Sequence, residues 1–342
     1  MMHLWNGMAG GVVGRRLAIG AAVAMIGASS GTPAWSQSLR ANLNHEMTGT
    51  VVDRAVQRLA AAARERSNGR IAITVHSRGE MGGERAMFDL MQAGAIEMGI
   101  SGSVIVSAIA PEYGVLDAPY LIGSPEHLAR VISGPVGEGL RRDILQRKGI
   151  RIIGHMDRAP RHLTTRGRAV RTPPDLRGLK IRIREIPVQV QAFRLLGASP
   201  VPMAFGEVYT ALQTRVIDAQ ENPLDIILGA SFNEVQDHVI LTGHVREVQW
   251  LIVSDRWWNS LSPADRSILQ AVADEAMAWG QAEVYAADAR LVAEARAKGM
   301  TIVELTADER AAFQRGVADL PKQFDRIWRP GLFEAIVAAT PR

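Results

Sequence analysis

Cysteine does not occur among the 342 residues, and its absence excludes several kinds of site. A disulfide framework, thiolate metal ligands, a cysteine nucleophile and a lipoprotein anchor all require it. Internal repeats and low-complexity linkers are absent too, and after residue 28 no segment is long and apolar enough to cross a membrane. With 47% hydrophobic and 22% charged residues, the composition is that of a soluble globular protein of about two domains.

Recognisable metal, cofactor and nucleophile motifs are also missing from the sequence. No His-Glu-x-x-His occurs, and His238 and His244 are not spaced like a zinc pair on a helix. Residues 7–11 loosely match a dinucleotide-binding loop but follow no strand, and residues 99–103 lack the final glycine of a nucleophile elbow. We therefore expect no metal, no cofactor and no catalytic group.

The N-terminal segment is typical of an export signal. No acidic residue precedes Glu46, Arg15 and Arg16 form a positive region, and residues 17–28 are apolar. Residues 34–36, Ala-Trp-Ser, match a small-x-small cleavage site, so residues 1–36 are predicted to be removed as a signal peptide. A retained membrane anchor is the alternative, but the apolar run is short for it. The arginine pair is compatible with twin-arginine export as well as with the ordinary route, which we favour.

Removal of that segment changes what the charge of the chain implies. The full chain carries a formal net charge of +4, and the loss of its only two basic residues before residue 37 leaves about +2. So small an excess gives no reason to expect nucleic-acid binding.

Strand and helix patterns alternate along the chain, which predicts parallel βαβ units and an α/β fold. Strands are predicted at residues 39–44, 71–76, 96–101, 150–155, 161–165, 179–183, near 217 and at 250–254. Helices are predicted at residues 51–66, 85–93, 188–196, 207–213 and from 224 onward. A longer helix is predicted to begin after Ser262, an N-cap residue followed by Pro263, and to run past Asp288, which is long enough to span two domains.

Two segments carry a specific family resemblance. Residues 202–223 read Pro-Met-Ala-Phe-Gly-Glu-Val-Tyr-Thr-Ala-Leu-Gln-Thr-Arg-Val-Ile-Asp-Ala-Gln-Glu-Asn-Pro, and residues 178–184 read Gly-Leu-Lys-Ile-Arg-Ile-Arg. In order, spacing and residue type, the two segments resemble the ligand-binding half of the periplasmic solute receptors of TRAP transporters, of the DctP type. The resemblance covers nearly all of the chain after residue 36.

This resemblance implies a two-domain α/β fold of the periplasmic binding protein type, with a ligand cleft between the domains and one long helix bridging both. By this similarity, domain I comprises residues 37–158 and 248–287, and domain II comprises residues 159–247 and 288–342. Receptors of this family capture small organic acids and deliver them to integral membrane subunits, with an ion gradient rather than ATP as the driving force.

Arg182 is the first candidate for a ligand contact. It stands between Ile181 and Ile183, so its side chain points to the opposite face of the strand from those apolar side chains. An arginine on a strand beside a cleft can hold a carboxylate with two parallel hydrogen bonds. The resemblance implies this role for Arg182 and a second ligand arginine at Arg161, in the run Arg-His-Leu-Thr-Thr.

The chain departs from the family pattern at Arg184, where members usually have proline. If the strand continues, Arg184 shares a face with Arg182, adds positive charge near the pocket and favours a dianion. If the strand ends at Ile183, Arg184 meets solvent or Glu185, and this is the reading we favour. Arg215 stands where members often have glycine, which puts the local turn geometry in question.

Four more residues of the motif are candidates for the binding site. Asn222 is expected to contact the ligand, because an amide donates to a carboxylate or accepts from a hydroxyl, with a turn-capping role as the alternative. Phe205 is expected to form an apolar wall, or else to pack in the core. Glu207 and Tyr209 belong to the motif as contacts or as supports behind the contacts.

Polar residues that follow predicted strands of the first domain are also candidates. His45 follows the first strand, and Ser101 and Ser103 lie at the end of the third. The carboxyl ends of strands face the crevice in open α/β sheets, so these side chains are predicted to reach the ligand. The alternative is that each is an ordinary loop residue.

These observations predict a periplasmic receptor that binds a small organic acid, a C4-dicarboxylate or a related carboxylate, through an arginine clamp. Its expected partners are that ligand and the integral membrane subunits of a TRAP transporter. Sugar acids, keto acids and sialic-acid-like compounds fit one arginine clamp equally well. The alternative is an exported α/β enzyme that acts on an organic acid, which would need a base, nucleophile or metal near the arginines.

The export signal predicts a defined N-terminus for the mature protein. Mass spectrometry of the protein recovered from the periplasm should show an N-terminus at or near Gln37, since the cleavage site lies at residues 34–36. Recovery of the uncleaved chain in the membrane fraction would contradict this prediction.

Overall fold

The structure, a computed structural model, describes residues 39–341. The predicted export signal therefore lies outside the described residues. No helix between residues 39 and 341 is both long enough and apolar enough to span a lipid bilayer.

Residues 39–341 form an α/β structure with two sheets, as the alternation of patterns predicted. The strands are β1 (Leu39–Asn44), β2 (Ile71–His76), β3 (Met98–Ser101), β4 (Ile150–Asp157), β5 (His162–Thr165), β6 (Lys180–Ile183), β7 (Ser199–Pro202), β8 (Ala219–Asn222), β9 (His238–Ile240), β10 (Val248–Ser254) and β11 (Thr301–Val303). The α-helices are α1 (Val51–Arg66), α2 (Glu84–Ala93), α3 (Val104–Ile109), α4 (Pro125–Ser133), α5 (Pro135–Lys148), α6 (Pro187–Leu195), α7 (Val208–Gln213), α8 (Leu224–Gly229), α9 (Asp255–Ser260), α10 (Pro263–Ala297), α11 (Ala307–Gly316), α12 (Leu320–Gln323) and α13 (Leu332–Ala338).

Each sheet combines parallel strands with a strand that returns from the other sheet. The first sheet has the order β2-β1-β3-β10-β4, with β10 antiparallel to both of its neighbours. The second has the order β11-β9-β5-β8-β6-β7, with β6 parallel to β7 and β8. The carboxyl ends of β1, β3, β6 and β8 supply the loops that form the site described below.

Local sequence explains the best-predicted elements. In β1, Ala41 and Leu43 alternate with less buried residues and face the core, as a strand with one buried face requires. Helix α1 begins at the N-cap Thr50, whose hydroxyl accepts from the Asp53 amide at 3.3 Å. Its apolar stripe, which includes Leu59, is buried against β2 and α10.

Helix α10 bridges the elements of both sheets. Ser262 caps it, since its hydroxyl accepts from the Asp265 amide at 3.1 Å, and Pro263 occupies the first turn. The helix contacts α1 and β4 on the side of the first sheet and α8 and β11 on the side of the second. At 35 residues it is about 50 Å long, enough to pass both sheets. The predicted bridging helix is confirmed.

Two short segments connect the sheets and lie side by side. The chain leaves the first sheet after Asp157 and enters β5 at His162, and it returns between β9 and β10. The amide of Arg158 donates to the carbonyl of Glu247 at 2.9 Å, and the amide of Arg161 donates to the carbonyl of Val245 at 3.0 Å. We call residues 158–161 and 245–247 the crossing segments.

The C-terminal helix packs on elements that the sequence assigned to domain I. Helix α13 contacts α5, and the carbonyl of Ile336 lies 2.7 Å from Nε2 of the buried His127. Arg329 forms an ion pair with Asp143 of α5. Our predicted boundary, with residues 288–342 in domain II, stays a prediction.

The turn before β8 explains why this strand begins later than predicted. Arg215 adopts a positive φ of 60°, the left-handed conformation that glycine favours, so the chain keeps its turn there without glycine. Asp218 then accepts from the Lys180 amide at 2.8 Å, and the strand starts at Ala219 instead of near Ile217.

Candidate ligand-binding site

A cavity of about 150 Å³ lies between the carboxyl ends of strands from both sheets. This is where open α/β sheets bind small molecules. The first sheet and its helices contribute Glu46, Met47, Gly83, Glu84, Arg85, Ala86, Gly102, Val104 and Gln249 to its lining. The crossing segment and the second sheet contribute Arg158, Arg161, Arg182, Arg184, Glu185, Met203, Ala204, Phe205, Asn222 and Ile226.

Arg182 is a buried cation that forms no ion pair in the described part of the chain. Its side chain on β6 is 3% exposed. Nε and Nη2 both donate to the carbonyl of Met203, at 3.0 and 2.8 Å, while Nη1 is buried without a partner. Burial, with the positive charges of Arg161 and Arg184 added to it, lowers the pKa of Arg182 to about 10 against the opposing effect of Glu221. The cavity thus presents a cation with an unused donor.

Arg161 lines the same cavity, but protein groups already use its donors. Nε pairs with the carboxylate of Glu221, Nη1 donates to Glu247 at 2.9 Å, and Nη2 donates to Glu221 Oε1 and Asn222 Oδ1, each at 2.9 Å. Burial opposes the charge of Arg161, yet the two carboxylates outweigh it and raise its pKa. Arg161 is therefore a structural centre of the site. The role predicted for it, that of a second ligand arginine, did not include this one.

Glu221 is the partner that balances this arginine. It is fully buried, and besides Arg161 it lies 3.1 Å from Nε2 of His244. Burial alone would raise the pKa of Glu221, but the charge and hydrogen bonds of Arg161 reverse the shift and lower it. Glu221 therefore stays ionised inside the protein.

Glu247 links the crossing segments to the remaining arginines. Its carboxylate pairs with Arg161 and Arg184 and lies 3.7 Å from Nη1 of Arg158. Burial raises its pKa, but Arg184 and the other arginines lower it to a net value of about 2. The Ser103 hydroxyl donates to the same carboxylate at 3.4 Å.

Arg184 corrects our favoured reading of the sequence. Strand β6 does end at Ile183, but Arg184 turns inward, is 8% exposed and lines the cavity instead of meeting solvent. Glu185 pairs with Arg85, Nε to Oε2 at 3.0 Å. Only Nη1 of Arg184 pairs with Glu247, and its Nε and Nη2 are buried without hydrogen-bond partners in the described part of the chain.

Two of the motif candidates reach the cavity and two do not. Asn222 lines it, accepts from Arg161 and donates through Nδ2 to Gln220 at 2.6 Å. Phe205 is a half-buried wall whose ring centroid lies 6.0 Å from that of Phe232. Glu207 is exposed and lines neither this cavity nor the next, and Tyr209 lines a neighbouring cavity of about 520 Å³ and donates to Glu234.

The three candidates that follow β1 and β3 lie behind the cavity wall. His45 is buried, and its Nε2 lies 3.3 Å from Asp53, while burial lowers its pKa. Ser101 donates to the carbonyl of Gly102 at 3.3 Å, and Ser103 supports Glu247. None of them lines the cavity, because each side chain turns toward a protein partner.

Several lining residues were missed by sequence reasoning. Arg158 lies in a connecting segment without strand periodicity. The rule that strand ends face the crevice would have found Glu46, which directly follows His45. The same rule would not have found Glu84, which opens α2. Gln249 lies on β10, which returns from the other sheet, and no local pattern marks it.

The structure has two sheets with helices packed on them, joined by the crossing segments and one long helix, and a cationic cavity lies between the sheets. This arrangement defines the periplasmic binding protein fold. The model of the bacterial extracellular solute-binding protein family 7 (DctP) matches residues 44–326. The chain belongs to this family. Its members are solute-binding proteins of TRAP transporters and not enzymes, so the alternative of an exported enzyme is wrong.

Individual relatives agree with this assignment. A solute-binding protein of Roseobacter denitrificans is 35% identical over 300 residues, which are 87% of this chain and 91% of its own. The structure of a TRAP periplasmic solute binding protein from the same organism, with bound L-galactonate, has 32% identity and a TM-score of 0.82, covering 89% of this chain and 99% of its own. One from Polaromonas sp. JS666, bound to D-erythronate, has 28% identity and a TM-score of 0.83, with the same coverage.

The contacts of Arg161 and Arg182 predict opposite effects on protein stability when each arginine is replaced. Arg161→Met should lower the free energy of unfolding by about 3–5 kcal/mol, because it leaves Glu221 buried without its cation. Arg182→Met should leave stability unchanged or raise it, because it removes a buried charge that has no carboxylate partner. Urea denaturation of both variants without ligand measures the difference, and equal losses in the two would contradict these roles.

Proposed function

We propose that this protein is the periplasmic receptor of a TRAP transporter, which binds a small organic acid through Arg182 and delivers it to integral membrane subunits. The single observation that carries the proposal is the buried guanidinium of Arg182, which has no ion-pair partner among the described residues. Burying an unpaired charge is costly, and an anionic ligand offsets that cost.

The hydrogen bonds of Arg182 suggest how a carboxylate would bind. Nε and one hydrogen of Nη2 point to the same side and share the carbonyl of Met203. The end-on edge, formed by Nη1 and the second hydrogen of Nη2, is left for a ligand. A carboxylate matches that edge with two parallel hydrogen bonds, which is the strongest geometry for this pair.

Neighbouring groups supply further contacts for the same ligand. The Nε and Nη2 of Arg184 and the Nη2 of Arg158 are donors without a hydrogen-bond partner among the described residues, and both arginines line the cavity. Phe205 offers an apolar face, and Asn222 holds its amide in place against Gln220. The relatives with bound L-galactonate and D-erythronate support a small carboxylate as the ligand.

Closure around the ligand follows from where the cavity lies. Its lining comes from both sheets, and we propose that residues 37–158 with 248–287 and residues 159–247 with 288–342 move as two domains. The crossing segments are the natural hinge, because they connect the sheets and pair with each other. Release of residues 1–36 on export and docking on the membrane subunits complete the proposed cycle.

Arg182→Ala is the test of the clamp. A thermal-shift screen that includes L-galactonate, D-erythronate and succinate first identifies organic acids that stabilise the parent protein. Calorimetry then measures the binding of these acids. The variant should lose about 2–5 kcal/mol of binding free energy, or roughly 30- to 5,000-fold in affinity. Arg182→Lys should recover only part of it, because an ammonium group cannot form the planar fork.

Arg194→Ala is the matched control, since Arg194 is exposed on α6 and does not line the cavity. It should bind like the parent. Unchanged affinity in a folded Arg182→Ala protein would falsify the clamp.

A further inference from the structure

Three residues with hydrogen-bond acceptor groups line the cavity together with the arginines. Glu46 follows β1, Glu84 opens α2, and Gln249 lies on β10, and all three line the cavity. We call these residues the acceptor wall. Neither glutamate has a Lys, Arg or His nitrogen within 4.0 Å in the part of the chain that the structure describes.

The two glutamates lie close together. A Cβ atom placed on Gly83, the residue before Glu84, would come within 2.9 Å of Oε1 of Glu46. Oε1 of Glu84 accepts from the amide of Gly102 at 2.7 Å. Burial, with the nearby charge of Glu84 added to it, raises the pKa of Glu46 to about 7 against the pull of Arg182. A second negative charge is therefore already disfavoured at this wall.

Gln249 provides an independent indication of a ligand. The side chain is 1% exposed, and its Oε1 is buried with no hydrogen-bond partner among the described residues. Its Nε2 lies over Gly102, at 3.0 Å from the position that a Cβ there would take. A buried carbonyl oxygen without a donor costs stability, and it is satisfied by a group that donates.

Ion pairing among the buried arginines of the cavity leaves one of them for a ligand carboxylate. Four buried arginines line the cavity, Arg158, Arg161, Arg182 and Arg184, and all but Arg182 pair with acidic side chains of the described residues. The acidic residues are Glu221, Asp225 and Glu247. One ligand carboxylate pairs with Arg182, whereas a second would lie in a cavity that Glu46 and Glu84 also line.

We propose that the acceptor wall selects small monocarboxylates that carry hydroxyl groups and rejects the corresponding dicarboxylates. A hydroxyl donates to Glu46, Glu84 or Gln249, while a second carboxylate can only accept and carries a charge of the same sign as the two glutamates. The acceptor wall thereby overrides the preference for a dianion that was expected of an Arg184 lining the cavity. This inference rests on the proposed function, because it requires that Arg182 hold the first carboxylate. Specificity then comes from repulsion on one wall as much as from attraction on the other.

The first test compares matched acids on the unmodified protein by calorimetry at pH 7.5. D-Erythronate is paired with succinate, and galactonate with galactarate, so each pair has the same number of carbons. The hydroxylated monocarboxylate should bind at least about tenfold more tightly within any pair that binds, as expected for about 1.4 kcal/mol of discrimination. Equal or tighter binding of the dicarboxylate would overturn the inference.

Two variants then test the wall directly. Glu46→Gln keeps the shape of the side chain and removes its charge, so it should improve binding of the dicarboxylate. The ratio of the two affinities within each pair of acids should therefore become smaller. Gln249→Leu removes the unpaired acceptor, so it should weaken binding of D-erythronate about tenfold while leaving butyrate, the four-carbon acid without hydroxyls, unaffected. Equal effects of Gln249→Leu on both acids would show a structural role only and would contradict the wall.

The dependence of binding on Arg182 distinguishes a failure of the acceptor wall from a failure of the proposed function. If succinate equals D-erythronate and Arg182→Ala still abolishes both, only the acceptor wall fails. If no carboxylate binds, or binding survives Arg182→Ala, the proposed function itself fails.

Discussion

The buried ion pairs of Arg161 with Glu221 and Glu247 are the interaction on which the site depends. Isolated charges in a protein interior are expensive, but three groups that hold one another through charge-assisted hydrogen bonds can remain ionised there. Because Glu247 belongs to one crossing segment and Arg161 to the other, the same contacts join the two connections between the sheets. Glu247 then orients Arg184 and faces Arg158, so the cationic side of the cavity is built on this cluster.

Arg182 differs from its neighbours because its only partner within residues 39–341 is a carbonyl. Two hydrogen bonds to the Met203 carbonyl hold its guanidinium and leave its outer edge for a ligand. A buried charge without an ion-pair partner is typical of binding sites, where stability is given up for function. Glu46 and Gln249 add hydrogen-bond acceptors to the lining of the same cavity.

Sequence patterns predicted what depends on local periodicity. The alternation Ile181-Arg182-Ile183 placed Arg182 on the cavity face, and the bounds of β1 and α1 were correct to the residue. Strands of three residues such as β9 and β11 were missed, because they are too short for a periodic signal. Arg184 could not be placed, because strand alternation stops at Ile183. The partners of Arg161 were invisible too, since Glu221 and Glu247 are 60 and 86 residues away in the chain.

The most direct test of the account is a crystal structure of the protein with a bound monocarboxylate such as D-erythronate. The account predicts that both carboxylate oxygens accept from the end-on edge of Arg182, Nη1 and Nη2, at about 2.7–2.9 Å. Arg161 should keep its ion pairs with Glu221 and Glu247. A carboxylate held elsewhere, with Nη1 of Arg182 still unpaired, would contradict the central role given to this arginine.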